Sequence, residues 1–174
     1  TDLQACAELL GLFARKRRRH CRPHCPATGA VRANGCLLSV AAGHWQPVPG
    51  ETLLVPSGPA GQHLFVLILG PVQLPEYGSV PHVAMVSFTT LRPDVPHDDA
   101  CVLQPGEHPF IKHASYAYYR DVRIERVPHV TAMVQGAIWQ AHTPCSPVLL
   151  ARLQQGICAS RLVRREVKRY FGCR

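Results

Sequence analysis

Short apolar segments separated by Pro- and Gly-rich turns dominate the chain from Val48 onward, a pattern typical of β-strands joined by loops. The strongest segment, HLFVLILG at residues 63–70, is a continuous apolar run and predicts a buried central strand. ETLLVP at 51–56 and HVAMVSFTT at 82–90 predict two further strands, joined to it by loops at 57–62 and 71–81. Weaker strand patterns lie at residues 100–104, 110–119 and 121–127.

The hydrophobic period becomes helical after Pro128. Residues 130–140 are weakly helical, and SPVLLARLQQG predicts a helix with Ser146 as N-cap, Pro147 in its first turn and Gly156 as its end. Residues 160–171 predict a last helix with a basic outer side. The order of elements therefore predicts an α+β fold in which a small antiparallel β-barrel or sheet precedes C-terminal helices.

The first 44 residues differ in character from the remainder. They hold half of the eight cysteines and the basic run RKRRRH, and they contain a helical pattern at 1–13 and an apolar run at 36–42. HCRPHC at 20–25 has zinc-ligand residue types, but no clean second pair follows, so we predict no metal site. The predicted organisation is a basic Cys/His-rich extension at 1–44, a β domain at 45–128 and a helical segment at 129–174.

Charge points to a polyanionic partner. The 174 residues carry a formal net charge of +8 with a pI near 9.3, which favours binding to nucleic acid. No apolar run is long enough to cross a bilayer, so no membrane partner is predicted.

The N-terminal apolar stretch precedes its basic cluster, the reverse of the order in a signal peptide. This order predicts a cytoplasmic protein with reduced thiols. Three cysteines beside apolar residues are then predicted to be small buried hydrophobes: Cys101, Cys158 and Cys173.

Polar residues near strand ends and turns suggest acid–base chemistry on a phosphate. His63 opens the buried strand, while Thr89, Thr90 and Arg92 follow the end of another. A further turn precedes His108, Lys112 and His113. Metal-free RNA cleavage requires a base, an acid and cations that stabilise the phosphorane, and histidine, arginine and lysine side chains supply all three.

The sequence lacks the GxGxxG, GxxxxGK[ST], GxSxG and HExxH motifs, and we predict no cofactor.

The stretch EHPFIKHASYAYYRDVRIE at 107–125 interleaves aromatic and basic residues. Such a surface suits single-stranded RNA, whose bases stack on aromatic rings and whose phosphates contact cations. The solvated outer side of a barrel has the same composition, so both interpretations stay open. The predicted RNA-binding residues are Lys112, His113, Tyr116, Arg120 and Arg123.

Three segments, VPGETLLVP, HLFVLILG and VAMVSFTT, follow one another in an order that resembles the start of the MazF/PemK (Kid, CcdB-like) toxin family. Pro49, Gly50 and Glu51 resemble the family's opening turn, and Thr89-Thr90 resembles its Thr-Ser pair. ASYAYYRDVRIERV at 114–127 is similar to the later strands, so the resemblance covers about residues 49–127. It departs where the family has Arg-Pro before the second strand, because this chain has Gln62-His63.

The resemblance implies an SH3-like barrel, usually a homodimer, that cleaves single-stranded RNA without a metal and is blocked by a protein antitoxin. As a mechanistic hypothesis, His63 or His108 acts as acid or base, Arg92 and Lys112 hold the scissile phosphate, and Thr89 and Thr90 contact the RNA backbone or a base. His63 or Arg92 would replace the family's arginine. The alternatives are a non-catalytic nucleic-acid-binding barrel and a protein-binding regulator or inhibitor in a toxin–antitoxin system.

Overall fold

The structure, a computed structural model, describes residues 45–58 and 61–173. The predicted helix at 1–13, the HCRPHC motif and the apolar run at 36–42 lie outside the described residues. The strands are β1 (Thr52–Ser57), β2 (Gly61–Gln73), β3 (Pro81–Thr90), β4 (Val102–Leu103), β5 (Ser115–Ala117), β6 (Arg123–Arg126) and β7 (Gln140–His142). The helices are α1 (Val127–Gln135), α2 (Pro147–Ala159) and α3 (Arg165–Tyr170), with 3-10 turns at Pro75–Tyr77 and Tyr119–Asp121.

All strand pairs are antiparallel and form one open sheet of seven strands in the part of the chain that is described. The order is β4-β5-β3-β2-β1-β7, and β6 pairs with β3 beside this path. The first half of β3 pairs with β6 and its last three residues pair with β5. The α+β class with C-terminal helices is therefore confirmed, whereas closure into a barrel is not seen in this pairing.

The three strongest predicted strands are confirmed. The central strand β2 extends to Gln73, so the prediction of a loop from residue 71 was wrong. Two register shifts between β2 and β3, one between Leu67 and Leu69 and one between Leu69 and Val72, let pairing continue past Gly70 and Pro71. The pattern at 110–119 yields only three strand residues, because its first half forms the loop that leads to β5.

Alternate residues of the central strands supply two separate cores, one on each side of the sheet. Leu64, Val66 and Ile68 pack with α2, and we call this side the α2 face. Phe65 and Leu67 pack with α1 residues and Trp139, and we call that side the α1 face. The continuous apolar run in β2 therefore reflects burial on both sides, as its composition predicts.

Residues 140–142 contradict the helical prediction for their segment. They form β7, which pairs with β1 through Thr52–His142 and Leu53–Ala141. Helix α1 ends at Gln135 before Gly136, and Ala137 has a positive φ of 55°. The chain thereby turns back to the sheet, so β7 and α2 share their packing with residues 45–128.

Helix α2 begins as predicted but does not end as predicted. The Ser146 hydroxyl oxygen accepts a hydrogen bond from Leu149 N at 3.2 Å, and Pro147 occupies the first turn. The helix continues through Gly156 to Ala159. Gly156 is needed for close packing instead, because a Cβ atom at this position would lie 2.0 Å from the Tyr119 hydroxyl oxygen.

The last helix, α3, is shorter than predicted. In this segment Val163 and Val167 are buried and Leu162 is exposed.

Replacing Gly156 with alanine is expected to destabilise the fold. Alanine normally stabilises an exposed helical position by roughly 1 kcal/mol relative to glycine. Here overpacking against the buried Tyr119 ring reverses the sign, and we expect a net loss of about 2 kcal/mol in the free energy of unfolding. Urea denaturation measures this loss. Gln155→Ala, at the exposed neighbouring position, is the control, and a Gly156→Ala variant as stable as that control would refute the close packing.

The cysteine prediction is correct for Cys101 and wrong for the last two cysteines. Cys101 is a free, buried thiol, as is Cys145. Cys158 and Cys173 form a disulfide instead of lying as separate buried thiols. The error arose because spacing along the sequence gives no sign that the end of α2 and residue 173 meet in space.

Candidate nucleic-acid interface

Neighbouring strands bring three predicted site residues to one end of the sheet. Phe65 pairs with Ser87, and His63 and Thr89 each lie two residues further along their strands towards this end. Thr89 in turn pairs with Tyr116 of β5. Because side chains two residues apart share a face of a strand, His63, Thr89 and Tyr116 occupy the α1 face in register.

The loops at this end add basic side chains. Leu91 N donates a 2.8 Å hydrogen bond to Ala114 O, which ties the loop carrying Arg92 to the loop carrying His113. Both of those side chains are exposed. We define the sheet end as six predicted residues gathered here: His63, Thr89, Arg92, Lys112, His113 and Tyr116. Thr90 pairs with Ser115 and, as the neighbour of Thr89 on β3, points to the α2 face instead.

An aromatic pocket adjoins the sheet end. The ring centroid of Tyr116 lies 6.5 Å from that of Tyr118 and 5.5 Å from that of His97. Together with Arg120 these rings line a cavity of about 380 Å³. Stacking surfaces beside a guanidinium suit an unpaired base and its phosphate. We call this cavity the aromatic pocket, and its lining is Val95, Pro96, His97, Asp98, Tyr116, Tyr118, Arg120 and Leu162.

Neither His97 nor Tyr118 was among the predicted site residues. The aromatic alternation in ASYAYYR was a usable signal for Tyr118, since Tyr116 and Tyr118 are two residues apart. His97 lies in a loop of Pro and Asp residues and gave no signal of its own. Its Nε2 lies 2.9 Å from Asp99 Oδ1, which holds the ring over the pocket.

Arg123 also lies on the α1 face. Its guanidinium carbon is 4.5 Å from the centroid of the Phe65 ring, a cation–π contact. Its Nε lies 3.5 Å from Asp121 Oδ2, and 39% of its side chain remains exposed. The contact holds the guanidinium itself over the Phe65 ring, and the exposed part of the side chain remains accessible. Arg123 pairs with Met85, two residues from Ser87 along β3.

His108 is separated from this surface by burial. Only 2% of the residue is exposed. Its Nδ1 accepts a hydrogen bond from Phe110 N at 3.1 Å, and its Nε2 lies 2.8 Å from Thr143 O, to which it donates. Burial lowers the pKa of the imidazole, and the nearby His142 acts in the same direction, against the bond to Thr143 O. Both nitrogens are occupied, so this ring anchors the 104–114 loop and is unsuited to proton transfer with RNA.

The lowered pKa of His108 predicts a stability change on acidification. The neutral ring is favoured in the folded state, so the unfolded chain binds the proton at higher pH. The free energy of unfolding should therefore fall as the pH drops through the ordinary value of 6.5. His108→Gln can preserve both hydrogen bonds without titrating, and denaturant melts at several pH values should show a shallower pH dependence. An unchanged pH dependence in this variant would contradict the role assigned to His108.

In the described ranges 45–58 and 61–173, no cluster of three or more His, Cys, Asp or Glu side chains is arranged to hold a metal ion. The same part of the chain contains no helix with the length and apolar character needed to span a membrane. No family model, curated protein or solved structure matches the chain. The geometry of the sheet end and the aromatic pocket is therefore the basis for a functional proposal.

Proposed function

We propose that the chain is an endoribonuclease that cleaves single-stranded RNA by metal-independent acid–base chemistry. The observation that carries this proposal is the register of β2, β3 and β5, which gathers His63, Thr89 and Tyr116 at one sheet end. The same three positions are a candidate acid or base, a polar contact and a largely buried ring, 8% exposed, that lines the wall of the aromatic pocket. The proposal extends the resemblance of residues 49–127 to MazF/PemK toxins.

Single-stranded RNA is the ligand that best fits the surface. The aromatic pocket offers tyrosine faces for unpaired bases, and Arg120 and Arg123 offer cations for phosphates. In a duplex the faces of the bases are stacked on one another, so the aromatic pocket would add little to the free energy of binding a duplex. The net charge of +8 supplies the general attraction to a polyanion.

The proposed chemistry uses the ribose hydroxyl as nucleophile. His63 takes the proton from the 2′-hydroxyl, whose oxygen then attacks the adjacent phosphorus. The bond from phosphorus to the 5′-oxygen breaks, and an acid protonates that oxygen. His113, exposed on the neighbouring loop, is the proposed acid. Arg92 and Lys112 stabilise the negative phosphorane. The products are a 2′,3′-cyclic phosphate and a 5′-hydroxyl end.

A non-catalytic RNA-binding module is the second candidate. It is favoured by Gln62-His63, which stands where the resembled family has Arg-Pro. Both candidates share the ligand and differ in turnover. Incubation with single-stranded RNA and chemical analysis of new ends separates them, because cyclic phosphate ends support cleavage and intact bound RNA supports the binding module.

An SH3-like barrel, a homodimer, a protein antitoxin and a cytoplasmic location belong to the same proposal. The antiparallel succession of β1, β2 and β3, followed by short strands, supports the proposal of an SH3-like barrel. The dimer and the antitoxin rest on the resemblance alone. A protein-binding regulator would instead show a stable complex with a partner and no affinity for RNA.

Replacing Tyr118 with alanine is expected to weaken binding of single-stranded RNA about 5- to 160-fold, because one stacked base contributes roughly 1–3 kcal/mol. Fluorescence anisotropy with labelled RNA measures the change. Tyr77→Ala is the matched control, since Tyr77 is an exposed tyrosine outside the aromatic pocket. Equal affinities of the two variants would remove the aromatic pocket from the RNA site.

A further inference from the structure

A second, strongly basic cavity lies at the C-terminal end of the described chain. Its volume is about 750 Å³. Four cationic side chains and one carboxylate line it, beside Val163 and Cys173. We call it the basic cavity, and its charged lining residues are Arg161, Arg165, Glu166, Lys168 and Arg169.

Two of these cations form no ion pair with any residue that the structure describes. Arg169 lies 3.2 Å from the Glu76 carboxylate, and Lys168 Nζ donates to Cys158 O at 3.1 Å. Arg161 and Arg165 are exposed and take part in no ion pair among the described residues. Unpaired arginines in a concave surface favour an anionic ligand, since guanidinium groups bind phosphate oxygens in bidentate fashion.

A third cavity shares lining residues with both the basic cavity and the aromatic pocket. Arg161 also lines this intermediate cavity, whose volume is about 480 Å³. That intermediate cavity shares His97, Asp98 and Leu162 with the aromatic pocket. The three cavities therefore form a series in which each shares lining residues with the next, from the tyrosines to the arginines.

The Cys158–Cys173 disulfide closes the segment that carries the basic cavity. Residue 158 belongs to α2, and every charged lining residue lies between the two cysteines. The bond limits how far these cations can move from one another, and a fixed array binds a ligand at a lower entropic cost.

We propose that the basic cavity is a second binding site for the phosphate backbone of single-stranded RNA, occupied by the strand whose bases enter the aromatic pocket. This inference rests on the ligand of the proposed function and not on cleavage. Asp98 and Asp99 line the intermediate cavity and repel phosphates. The bound strand therefore turns its bases, whose amino groups can donate to carboxylates, towards this stretch and its phosphates towards the arginines.

Arg165→Glu tests the site against Arg126→Glu, the same charge change at an exposed arginine on β6 outside the cavity. The measurement is anisotropy of an RNA of about thirty nucleotides over a range of salt concentrations. Losing one phosphate contact should make the negative slope of log affinity against log salt shallower by about 0.7. Arg165→Glu should show this reduction with about tenfold weaker binding, and Arg126→Glu should keep the slope. Equal losses in both variants would overturn the inference, because they would reflect net charge alone.

A second arm separates this inference from the proposed cleavage. An RNA of about four nucleotides, the lower end of single-strand site sizes, occupies the sheet end alone. Arg165→Glu should bind this short RNA as the wild type does, and a loss on the short RNA equal to that on the long RNA would overturn the inference. Salt-dependent binding of intact long RNA that requires Arg165 would support the basic cavity while refuting cleavage. Wild-type protein that binds neither RNA would overturn both.

Discussion

His63→Ala is expected to lower the single-turnover rate of RNA cleavage by about 10²- to 10⁴-fold, the usual contribution of a positioned acid or base. His63 is exposed at the start of β2, in register with Thr89, so its removal leaves no cavity in the fold. RNA affinity should change little, because the aromatic pocket and the arginines remain. The measurement is the rate of product formation at saturating enzyme.

His129→Ala is the control for His63→Ala. His129 is an exposed histidine on α1, whose ring packs edge-on against Trp139 at a centroid distance of 5.6 Å. This variant should cleave RNA at the wild-type rate. A His63→Ala enzyme as fast as the control would remove His63 from the chemistry and leave Arg92 and His113 as the residues to test.

Replacing both Cys158 and Cys173 with serine is expected to lower the free energy of unfolding by about 3 kcal/mol. The two residues are 15 positions apart, and a crosslink closing a loop of this length restricts the unfolded chain by about that amount. Urea denaturation at equilibrium measures the difference. A reducing agent should destabilise the wild-type protein by a similar amount and leave the double serine variant unchanged.

Insensitivity of the wild-type protein to reductant would contradict the disulfide. A disulfide between Cys158 and Cys173 would also bear on the cellular compartment of the protein, because disulfides persist chiefly in oxidising environments. The prediction of a cytoplasmic protein used reduced thiols as one of its supports, and the pairing of Cys158 with Cys173 removes that support.

The strands that bury side chains on one or both faces could be predicted from the sequence. The apolar run in β2 and the patterns of β1 and β3 are local, and the Ser146-Pro147 start of α2 depends on neighbouring residues alone. The three-residue strand β7 could not be predicted, because its pairing with β1 is long-range and its own pattern is too short. Gly156 appeared as a helix end because its contact with Tyr119 is likewise long-range.

The candidate site was predictable to the same extent. His63 and Thr89 are predicted from chemical type and position near strand ends, and Tyr116 from the interleaved aromatic and basic residues at 107–125. Strand register decides that the three are neighbours. His108 had the same chemical type, but its burial and its bond to Thr143 O depend on a residue 35 positions away. The arginines of the basic cavity were expected as the outer side of a helix, and the concave shape that unites them arises from tertiary structure.

The most direct test of the central proposal is incubation of the purified protein with a long single-stranded RNA, with and without EDTA, at low and moderate salt. We expect cleavage that survives EDTA and leaves 2′,3′-cyclic phosphate ends, since His63, His113 and the arginine and lysine side chains supply the chemistry. RNA that is bound in a salt-dependent manner but stays whole in every condition would contradict cleavage and identify a basic RNA-binding module.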